Sequence, residues 1–210
     1  MPKRLFDIAF SALALVLLAP LLVAVAVRVR LDSPGGIFFR QTRIGRAGQP
    51  FRIYKFRTMR AGADAAGPAI TVGDDDRITR AGHWLRRTKL DELPQFINVL
   101  AGDMSIVGPR PEVPLYVALY PAELRDTVLS VRPGITDLAS IEFREESTLL
   151  GHSSDPERTY VEQILPVKLQ YAADYASSHT LWGDFQIVVR TAAALWGSHP
   201  RGDMAQKDGT

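Results

Sequence analysis

Residues 8–27 contain no charged side chain, and this apolar run constrains the fold more than any other feature of the chain. At ~1.5 Å per residue, a helix of this length reaches about 30 Å, the thickness of a bilayer core. The run is long for a signal peptide, and it leads directly into Arg28 and Arg30 without a small-residue cleavage site. A soluble helix that is apolar on all sides would be unusual at the edge of a small domain. We therefore expect the segment to enter a membrane.

The flanks of this segment leave its topology open. Lys3 and Arg4 precede the run and two arginines follow it, so the positive charge that marks a cytoplasmic end is present at both ends. Pro20 removes one helical hydrogen bond and should bend the helix. A hairpin that enters and leaves by the same face fits these facts, and so does a kinked single span.

A basic segment follows the apolar run. Residues 37–60 hold seven basic side chains and no acidic one, although the net charge of the whole chain is only +2. Such a segment favours anionic partners such as phosphates or lipid head groups, and a solvated basic face is the plainer alternative. Two runs rich in aromatic and branched residues, 37–44 and 51–58, flank a glycine-bearing turn and predict a β-hairpin.

The strongest chemical signal is an acidic pair, Asp91 and Glu92, with Arg86 before it and Arg110 after it. Adjacent side chains on a helix point about 100° apart, so the two carboxylates can have different tasks. One could attack phosphorus while the other holds a metal or moves a proton. The planar fork of arginine suits phosphate oxygens. A structural salt-bridge cluster is the alternative interpretation.

Two other functions compete with this one. Asp74 and Asp76, in a loop of small residues, could hold a divalent metal against a nucleotide diphosphate, which would indicate a metal-dependent glycosyltransferase. A solvent-facing acidic loop is the plainer explanation of the same residues. The third interpretation is a non-catalytic module that binds anionic membrane lipid through its basic hairpin. The chain contains no cysteine, which excludes disulfides and thiolate metal sites.

The remaining segments predict a mainly helical α+β fold. Apolar residues at helical spacing predict a short helix after the acidic pair, ended by Gly102; they are Leu93, Phe96, Ile97 and Leu100. Further helices are expected over residues 77–89, over 113–131 with an interruption near Pro121, over 157–175 with a break at Pro166, and over 181–196. Trp182 and Trp196, near the ends of the last helix, suit an interfacial location or a core equally well. A polar tail over residues 198–210 is expected to be disordered.

Six motifs occur in an order that resembles the bacterial sugar transferases, also known as monotopic phosphoglycosyl transferases. Together they cover most of residues 2–145 and match the family's minimal catalytic unit. The motifs are Lys3-Arg4-Leu5-Phe6-Asp7, Ile53-Tyr54-Lys55-Phe56-Arg57-Thr58-Met59, Leu90-Asp91-Glu92-Leu93-Pro94-Gln95, Gly102-Asp103-Met104-Ser105, Gly108-Pro109-Arg110-Pro111 and Arg132-Pro133-Gly134-Ile135-Thr136.

The resemblance implies a topology and a reaction. Residues 1–30 would form a re-entrant helix hairpin bent at Pro20, and residues 31–197 a catalytic domain on the cytoplasmic face of the bacterial inner membrane, with amphipathic interfacial helices. The reaction would move a phosphosugar from a UDP-sugar to undecaprenyl phosphate and release UMP, as the first membrane step of surface-glycan synthesis. Membrane lipid is an expected partner and nucleic acid is not; a homodimer is left open.

The resemblance also assigns roles to residues. Asp91 matches the family's nucleophile and would form a covalent phosphosugar intermediate, and Glu92 matches its partner in the acidic pair. Mg²⁺ would bind at Asp91 and the donor diphosphate. Arg110 matches the phosphate-contacting arginine, and Arg86 and Lys55 are further candidates for substrate binding.

The chain departs from the commonest family pattern at two positions. Ala19 precedes Pro20 where many members have serine, and Asp137 follows Thr136 where many have glycine. The sugar is therefore not predicted.

Overall fold

The computed structural model describes residues 2–63, 70–72 and 75–196, without the side chain of Trp196. The predicted tail over residues 198–210 lies outside this range. The described chain is mainly helical with two small sheets, which confirms the α+β class. Its helices are α1 (Pro2–Asp32), α2 (Arg80–Thr88), α3 (Gln95–Ala101), α4 (Pro114–Val117), α5 (Ala122–Val128), α6 (Leu138–Glu142), α7 (Glu146–Gly151), α8 (Pro156–Thr159), α9 (Leu165–Ser178) and α10 (Leu181–Trp196). Its strands are β1 (Phe38–Ile44), β2 (Pro50–Phe56), β3 (Ser105–Val107) and β4 (Gly134–Thr136).

The apolar N-terminal run forms one helix, α1, which continues through Pro20. By length and composition α1 could cross a membrane, and only 11% of its most apolar stretch is buried. Val16, near its centre, is 71% exposed. A bend at Pro20 stays a prediction.

The N-terminal end of α1 is fastened to the domain by buried polar contacts. Asp7 is buried, and its carboxylate accepts hydrogen bonds from Ser105 Oγ at 2.9 Å and from the backbone N–H of Ile106 at 3.2 Å. Lys3 donates to the buried carboxylate of Asp184 on α10 at 2.6 Å. A charged group in a dry interior costs free energy unless it is paired, so these contacts fix the position of this end.

The C-terminal end of α1 is fastened to the same domain. Val25 and Val29 pack against Phe56 of β2 and Leu85 of α2 in one buried cluster. The Arg57 guanidinium donates to the carbonyl oxygen of Val29 at 3.4 Å, and also to those of Ser33 and Pro34 beyond the helix. Cations suit the unpaired carbonyls at a helix C-terminus. Both ends of the apolar helix therefore contact one domain, while its middle is exposed.

The predicted β-hairpin is confirmed. Strands β1 and β2 pair antiparallel, with Phe38 opposite Phe56 and Ile44 opposite Pro50. The turn between them contains Ala47 with a positive φ of 56°. Asn98 of α3 accepts a hydrogen bond from the backbone N–H of Tyr54 at 2.8 Å, so the hairpin is held against the helix that follows the acidic pair.

The second sheet pairs β3 and β4 in parallel, a pairing that the sequence analysis did not predict. Ser105 lies opposite Gly134, and Val107 opposite Thr136. The backbone of Gly134 approaches that of Gly108 so closely that a Cβ atom on Gly134 would lie 2.1 Å from the Gly108 nitrogen. This contact fixes the backbone at Gly108, directly before the loop after β3 that carries Arg110.

The C-terminal helices build the largest buried cluster. Helices α5 and α9 pack against each other, and the rings of Tyr116 and Tyr160 meet with centroids 4.8 Å apart. Pro166 lies in the first turn of α9, where a proline is tolerated, and therefore does not break the helix. Helix α10 turns Ile187 into the core and exposes Trp182 on another side.

Replacing Gly134 by alanine should destabilise the protein, because the new methyl group would collide with backbone that cannot move aside. Overpacking of this kind costs about 1–3 kcal/mol or more. About 1 kcal/mol corresponds to 2–4 °C in a chain of this size, so we expect Tm to fall by about 5 °C in thermal unfolding.

Gly36→Ala is the matched control. A Cβ atom on Gly36 would meet only the Phe38 carbonyl oxygen, at 3.7 Å, which is ordinary van der Waals contact. Equal Tm values for the two variants would contradict the close approach of β3 and β4.

Candidate active site

The acidic pair lies in a sharp turn between two helices. Helix α2 ends at Thr88, and Lys89 adopts a left-handed conformation with φ 57°. One turn of 3₁₀-helix, Leu90–Glu92, then leads toward α3. The tight turn aims the two adjacent carboxylates in different directions, as their neighbouring positions predicted.

Glu92 bridges two cations that come from distant parts of the sequence. Its Oε1 accepts a hydrogen bond from Lys55 Nζ at 2.8 Å and another from Arg110 Nη2 at 2.6 Å. Its Oε2 lies 3.3 Å from Arg110 Nη1, so the arginine fork engages both oxygens. The bridge joins β2, the acidic turn and the loop after β3.

The charges of this bridge stabilise one another. Burial alone would raise the pKa of Glu92, but Arg110 and Lys55 outweigh it and hold that pKa well below its usual range. Glu92 in turn raises the pKa of Arg110 against the effect of burial. Burial lowers the pKa of Lys55, and Glu92 opposes that shift. Glu92 is therefore a fixed anion at neutral pH.

Asp91 is in the opposite situation. Its side chain is only 7% exposed, and its Oδ1 has no hydrogen-bond partner among the described residues. Burial, followed by the negative charge of Glu92, raises the pKa of Asp91, and Lys55, Lys89 and Arg86 moderate that rise. Asp91 is thus a poorly solvated carboxyl with a free oxygen, a state that suits a nucleophile or a metal ligand better than a structural anion.

Arg86 is held by its Nε atom, which donates to Thr58 Oγ1 at 2.9 Å. Burial lowers the pKa of Arg86, and Asp91 opposes that shift. Because only Nε is engaged in the described structure, the terminal nitrogens of the fork are available to a ligand in the cleft. Thr58, which the sequence analysis did not single out, positions this arginine.

All five predicted site residues line one cleft of about 1000 Å³; they are Lys55, Arg86, Asp91, Glu92 and Arg110. Basic side chains outnumber acidic ones by more than two to one among the residues that line it. A cleft with this charge balance attracts anionic ligands and raises their local concentration. The structure brings these five residues to one cleft, whereas their roles in binding and catalysis stay predictions.

A divalent metal has one clear protein ligand here. Within the described ranges no group of three or more histidine, aspartate or glutamate side chains could hold an ion alone. Asp91 lines a cleft large enough for a diphosphate, and its Oδ1 is buried without a hydrogen-bond partner in the described structure. Mg²⁺ is commonly held by one or two carboxylates together with substrate phosphates, so this arrangement fits it.

The competing aspartate site receives little support. Asp74 lies outside the described residues, and Asp75 is engaged by the Arg77 guanidinium at 2.6 Å. Asp76 is exposed and does not line the cleft.

Asp137 is a site residue that sequence reasoning recognised only as a departure from a pattern. Its buried carboxylate accepts one hydrogen bond from the backbone N–H of Arg110 at 3.1 Å and another from that of Ser140 at 2.6 Å. The second bond caps α6, and an aspartate directly before an apolar helix is the sequence signal for such a cap. Asp137 therefore ties the loop that carries Arg110 to the first turn of α6.

A buried acidic pair surrounded by cations in a large basic cleft is typical of an enzyme that acts on phosphorylated substrates. The comparisons with known proteins specify the class further. The chain belongs to the bacterial sugar transferase family, whose family model matches residues 1–198. This confirms the family that the six motifs indicated.

Several named proteins are similar to this chain over much of its length. The chain is 40% identical, over 92% of its length, to a UDP-glucose:undecaprenyl-phosphate glucose-1-phosphate transferase of Caulobacter vibrioides. It is 37% identical, again over 92% of its length, to a UDP-N-acetylgalactosamine-undecaprenyl-phosphate N-acetylgalactosaminephosphotransferase of Aeromonas hydrophila. It is 48% identical, over 66% of its length, to exopolysaccharide production protein PSS of Rhizobium leguminosarum bv. phaseoli. The chain spans 69% of the Caulobacter relative and 43% of the Aeromonas relative.

The two adjacent carboxylates should affect stability in opposite directions. Glu92→Gln leaves Lys55 and Arg110 without their counter-charge, which should cost about 2 kcal/mol and lower Tm by about 5 °C. Asp91→Asn removes a buried carboxylate that lacks a partner at Oδ1 and repels Glu92, so its Tm should rise. Thermal unfolding at neutral pH with a metal chelator present measures both changes.

The pH dependence of the stability change in Asp91→Asn provides a second check on the environment of Asp91. Because folding raises the pKa of Asp91, the folded state binds this proton more tightly than the unfolded chain. Ionised Asp91 destabilises the folded state. This destabilisation is absent below the pKa of Asp91 in the unfolded chain and is lost or gained as the pH crosses its raised pKa in the folded state, with the full effect at higher pH. The stability gain from Asp91→Asn should therefore shrink in acid. A Tm lowered by Asp91→Asn at neutral pH would contradict the assigned environment.

Proposed function

We propose that this protein transfers a phosphosugar from a UDP-sugar to undecaprenyl phosphate, and that Asp91 carries the phosphosugar between two half-reactions. The observation that carries the proposal is the Asp91 carboxyl, buried and with a free Oδ1, in a cleft dominated by cations. Two relatives bear names that specify a UDP-sugar and undecaprenyl phosphate, which supports the same substrate classes.

The chemistry proceeds by two displacements at one phosphorus atom. In the first, a carboxylate oxygen of Asp91 bonds to the sugar-bearing phosphorus of the donor, and the bond from that phosphorus to the bridging oxygen breaks. UMP leaves with the electron pair of the broken bond. In the second, an oxygen of undecaprenyl phosphate bonds to the same phosphorus and the Asp91 carboxylate leaves. No proton transfer is required, because the attacking and leaving oxygens are all anionic.

The surrounding side chains account for the different roles of the two carboxylates. Asp91 is poorly solvated, which strengthens it as a nucleophile, while the nearby cations favour its ionised form. Both oxygens of Glu92 are engaged by Lys55 and Arg110, so Glu92 holds these cations at the cleft wall. Arg110 and Arg86 then offer N–H groups to the phosphate oxygens, where negative charge must be stabilised.

Mg²⁺ is the metal that suits this site. Asp91 would hold it together with oxygens of the donor diphosphate. When bound, the ion neutralises part of the diphosphate charge.

The architecture supports a re-entrant, monotopic attachment to the membrane. Asp7 near one end of α1 and Val29 near the other contact the same domain, whereas a helix that spans the bilayer would place its two ends on opposite faces. The apolar middle of α1 would dip into one leaflet and return. Exposed Trp182, Phe185 and Val189 on α10 suit an interfacial helix beside it.

This attachment explains how a soluble donor and a lipid acceptor reach one cleft. The donor comes from the cytoplasm, and positive charge at both ends of α1 favours the cytoplasmic face of the inner membrane. The product, a lipid-linked sugar diphosphate, would begin the assembly of a surface glycan. The name of the Rhizobium relative, an exopolysaccharide production protein, supports this role.

Incubation with a panel of UDP-sugars should release UMP and leave a phosphosugar on the peptide that contains Asp91. Mass spectrometry of the digested protein detects the adduct, and chromatography identifies the nucleotide. Asp91→Asn should abolish both signals, because an amide oxygen is a poor nucleophile. Asp76→Asn is the matched control and should keep full activity, since Asp76 is exposed outside the cleft.

The released nucleotide separates the proposal from its competitor. Release of UDP, with loss of activity in Asp76→Asn, would favour a metal-dependent glycosyltransferase instead. Absence of any nucleotide release from every donor would favour a non-catalytic module.

The attachment can be tested by labelling single cysteines, because the chain has none of its own. Pro2→Cys places a thiol at the exposed first residue of α1, and Gly36→Cys places one at an exposed position beyond its last residue. In inside-out membrane vesicles, a membrane-impermeant maleimide should label both. In right-side-out vesicles it should label neither. Labelling of the two positions from opposite faces would establish a spanning helix and contradict the proposal.

A further inference from the structure

Lys89 adopts a backbone conformation that its residue type does not favour. It and Ala47 are the residues other than glycine with a positive φ within the described ranges, at 57° and 56°. Lys89 occupies the position after α2, and its N–H caps the carbonyl oxygen of Arg86 at 3.3 Å. Glycine is the common residue at such a position, because a Cβ atom strains the left-handed conformation. The chain thus has a long cationic side chain at a position where glycine would adopt the left-handed conformation at a lower conformational free energy.

The side chain of Lys89 lines the substrate cleft next to the acidic pair. Lys55, on the other side, donates to Glu92 at 2.8 Å, whereas the Lys89 ammonium has no hydrogen-bond or ion-pair partner in the described part of the chain. Its charge is nevertheless close enough to act on both carboxyls. An ammonium in this position is available to a ligand.

Three other cations near the acidic pair have a protein partner, although Arg86 keeps its terminal nitrogens available. Lys55 and Arg110 share the negative charge of Glu92, and Arg86 is held through Nε by Thr58. A phosphate group that enters the cleft therefore meets Lys89 as an uncommitted positive charge at the turn that carries Asp91. Three donor hydrogens on a flexible stem suit a tetrahedral phosphate whose position changes between two reaction steps.

We propose that the Lys89 ammonium binds a phosphoryl oxygen of the substrate, either of the donor diphosphate or of the acceptor lipid phosphate. This inference rests on the proposed function, which supplies both phosphates. The strained backbone at residue 89 is retained because the side chain is needed for binding, as is common where function opposes stability.

Lys89→Gly should separate stability from function. Relief of the left-handed strain should raise Tm by about 2 °C. Loss of a charge-assisted hydrogen bond should weaken phosphate binding by about tenfold or more. Lys89→Arg keeps the charge and should recover most of the binding.

Ala47→Gly is the matched control. It relieves the same backbone strain in an exposed hairpin turn outside the cleft, so its Tm should rise similarly while binding and turnover stay unchanged.

Two measurements on the full chain in nanodiscs distinguish the two phosphates. The dissociation constant of UDP, measured by equilibrium dialysis, reports on the diphosphate without requiring turnover. The decay of a preformed adduct after addition of undecaprenyl phosphate reports on the acceptor. A loss confined to UDP affinity assigns Lys89 to the donor, and a loss confined to adduct decay assigns it to the acceptor.

The inference is wrong if Lys89→Gly binds UDP and transfers the adduct as the wild type does. A lower Tm with unchanged binding would show that Lys89 only balances the charge of the acidic pair. If the wild type binds UDP but forms no adduct, the proposed function fails, while the UDP affinities of wild type and variant still decide the role of Lys89.

Discussion

The site depends on one ionic bridge, in which Glu92 holds Lys55 and Arg110. The three side chains come from β2, from the turn after α2 and from the loop after β3, so the bridge gathers parts of the chain that no local interaction would unite. A buried carboxylate with two cations is a stable anion. Its neighbour Asp91 lacks such partners and keeps a free oxygen. The pKa values of these two adjacent carboxyls shift in opposite directions because their surroundings differ, and not because of their own chemistry.

The same principle of buried polar contacts fixes the apolar helix. Asp7 is bonded to β3 at one end of α1, and Arg57 holds the carbonyls at the other end. These contacts leave most of the apolar centre exposed, so a lipid environment suits that surface. The cleft and the membrane helix are thereby parts of one body, and a reaction between a soluble and a lipid substrate needs both.

The sequence predicted the individual helices and strands better than it predicted how they pair and pack. Composition and periodicity predicted α1, the basic hairpin and most helices, because these patterns are local. The pairing of β3 with β4 was missed, since two three-residue strands carry almost no periodic signal. For α3 the period was right but the buried side was not fully predicted. Gln95 and Asn98 are buried there, whereas Ile97 and Leu100 are partly exposed. The sequence singled out the five site residues, but only the fold shows that they line one cleft and that Glu92 is engaged while Asp91 Oδ1 is not. The positive φ of Lys89 is likewise visible only in the fold.

Arg57 and Thr58 are consecutive residues whose side chains make different contacts. The first holds the end of the apolar helix, and the second holds Arg86 at the cleft wall. A single peptide bond therefore links the residue that holds the end of the apolar helix to the residue that orients the Arg86 guanidinium. A detergent that displaces the C-terminal end of α1 would move Arg57 and Thr58. It would thereby change the orientation of Arg86 without entering the cleft. Enzymes built in this way are sensitive to the amphiphile in which they are purified, and native-like lipid discs are the appropriate medium for their kinetics.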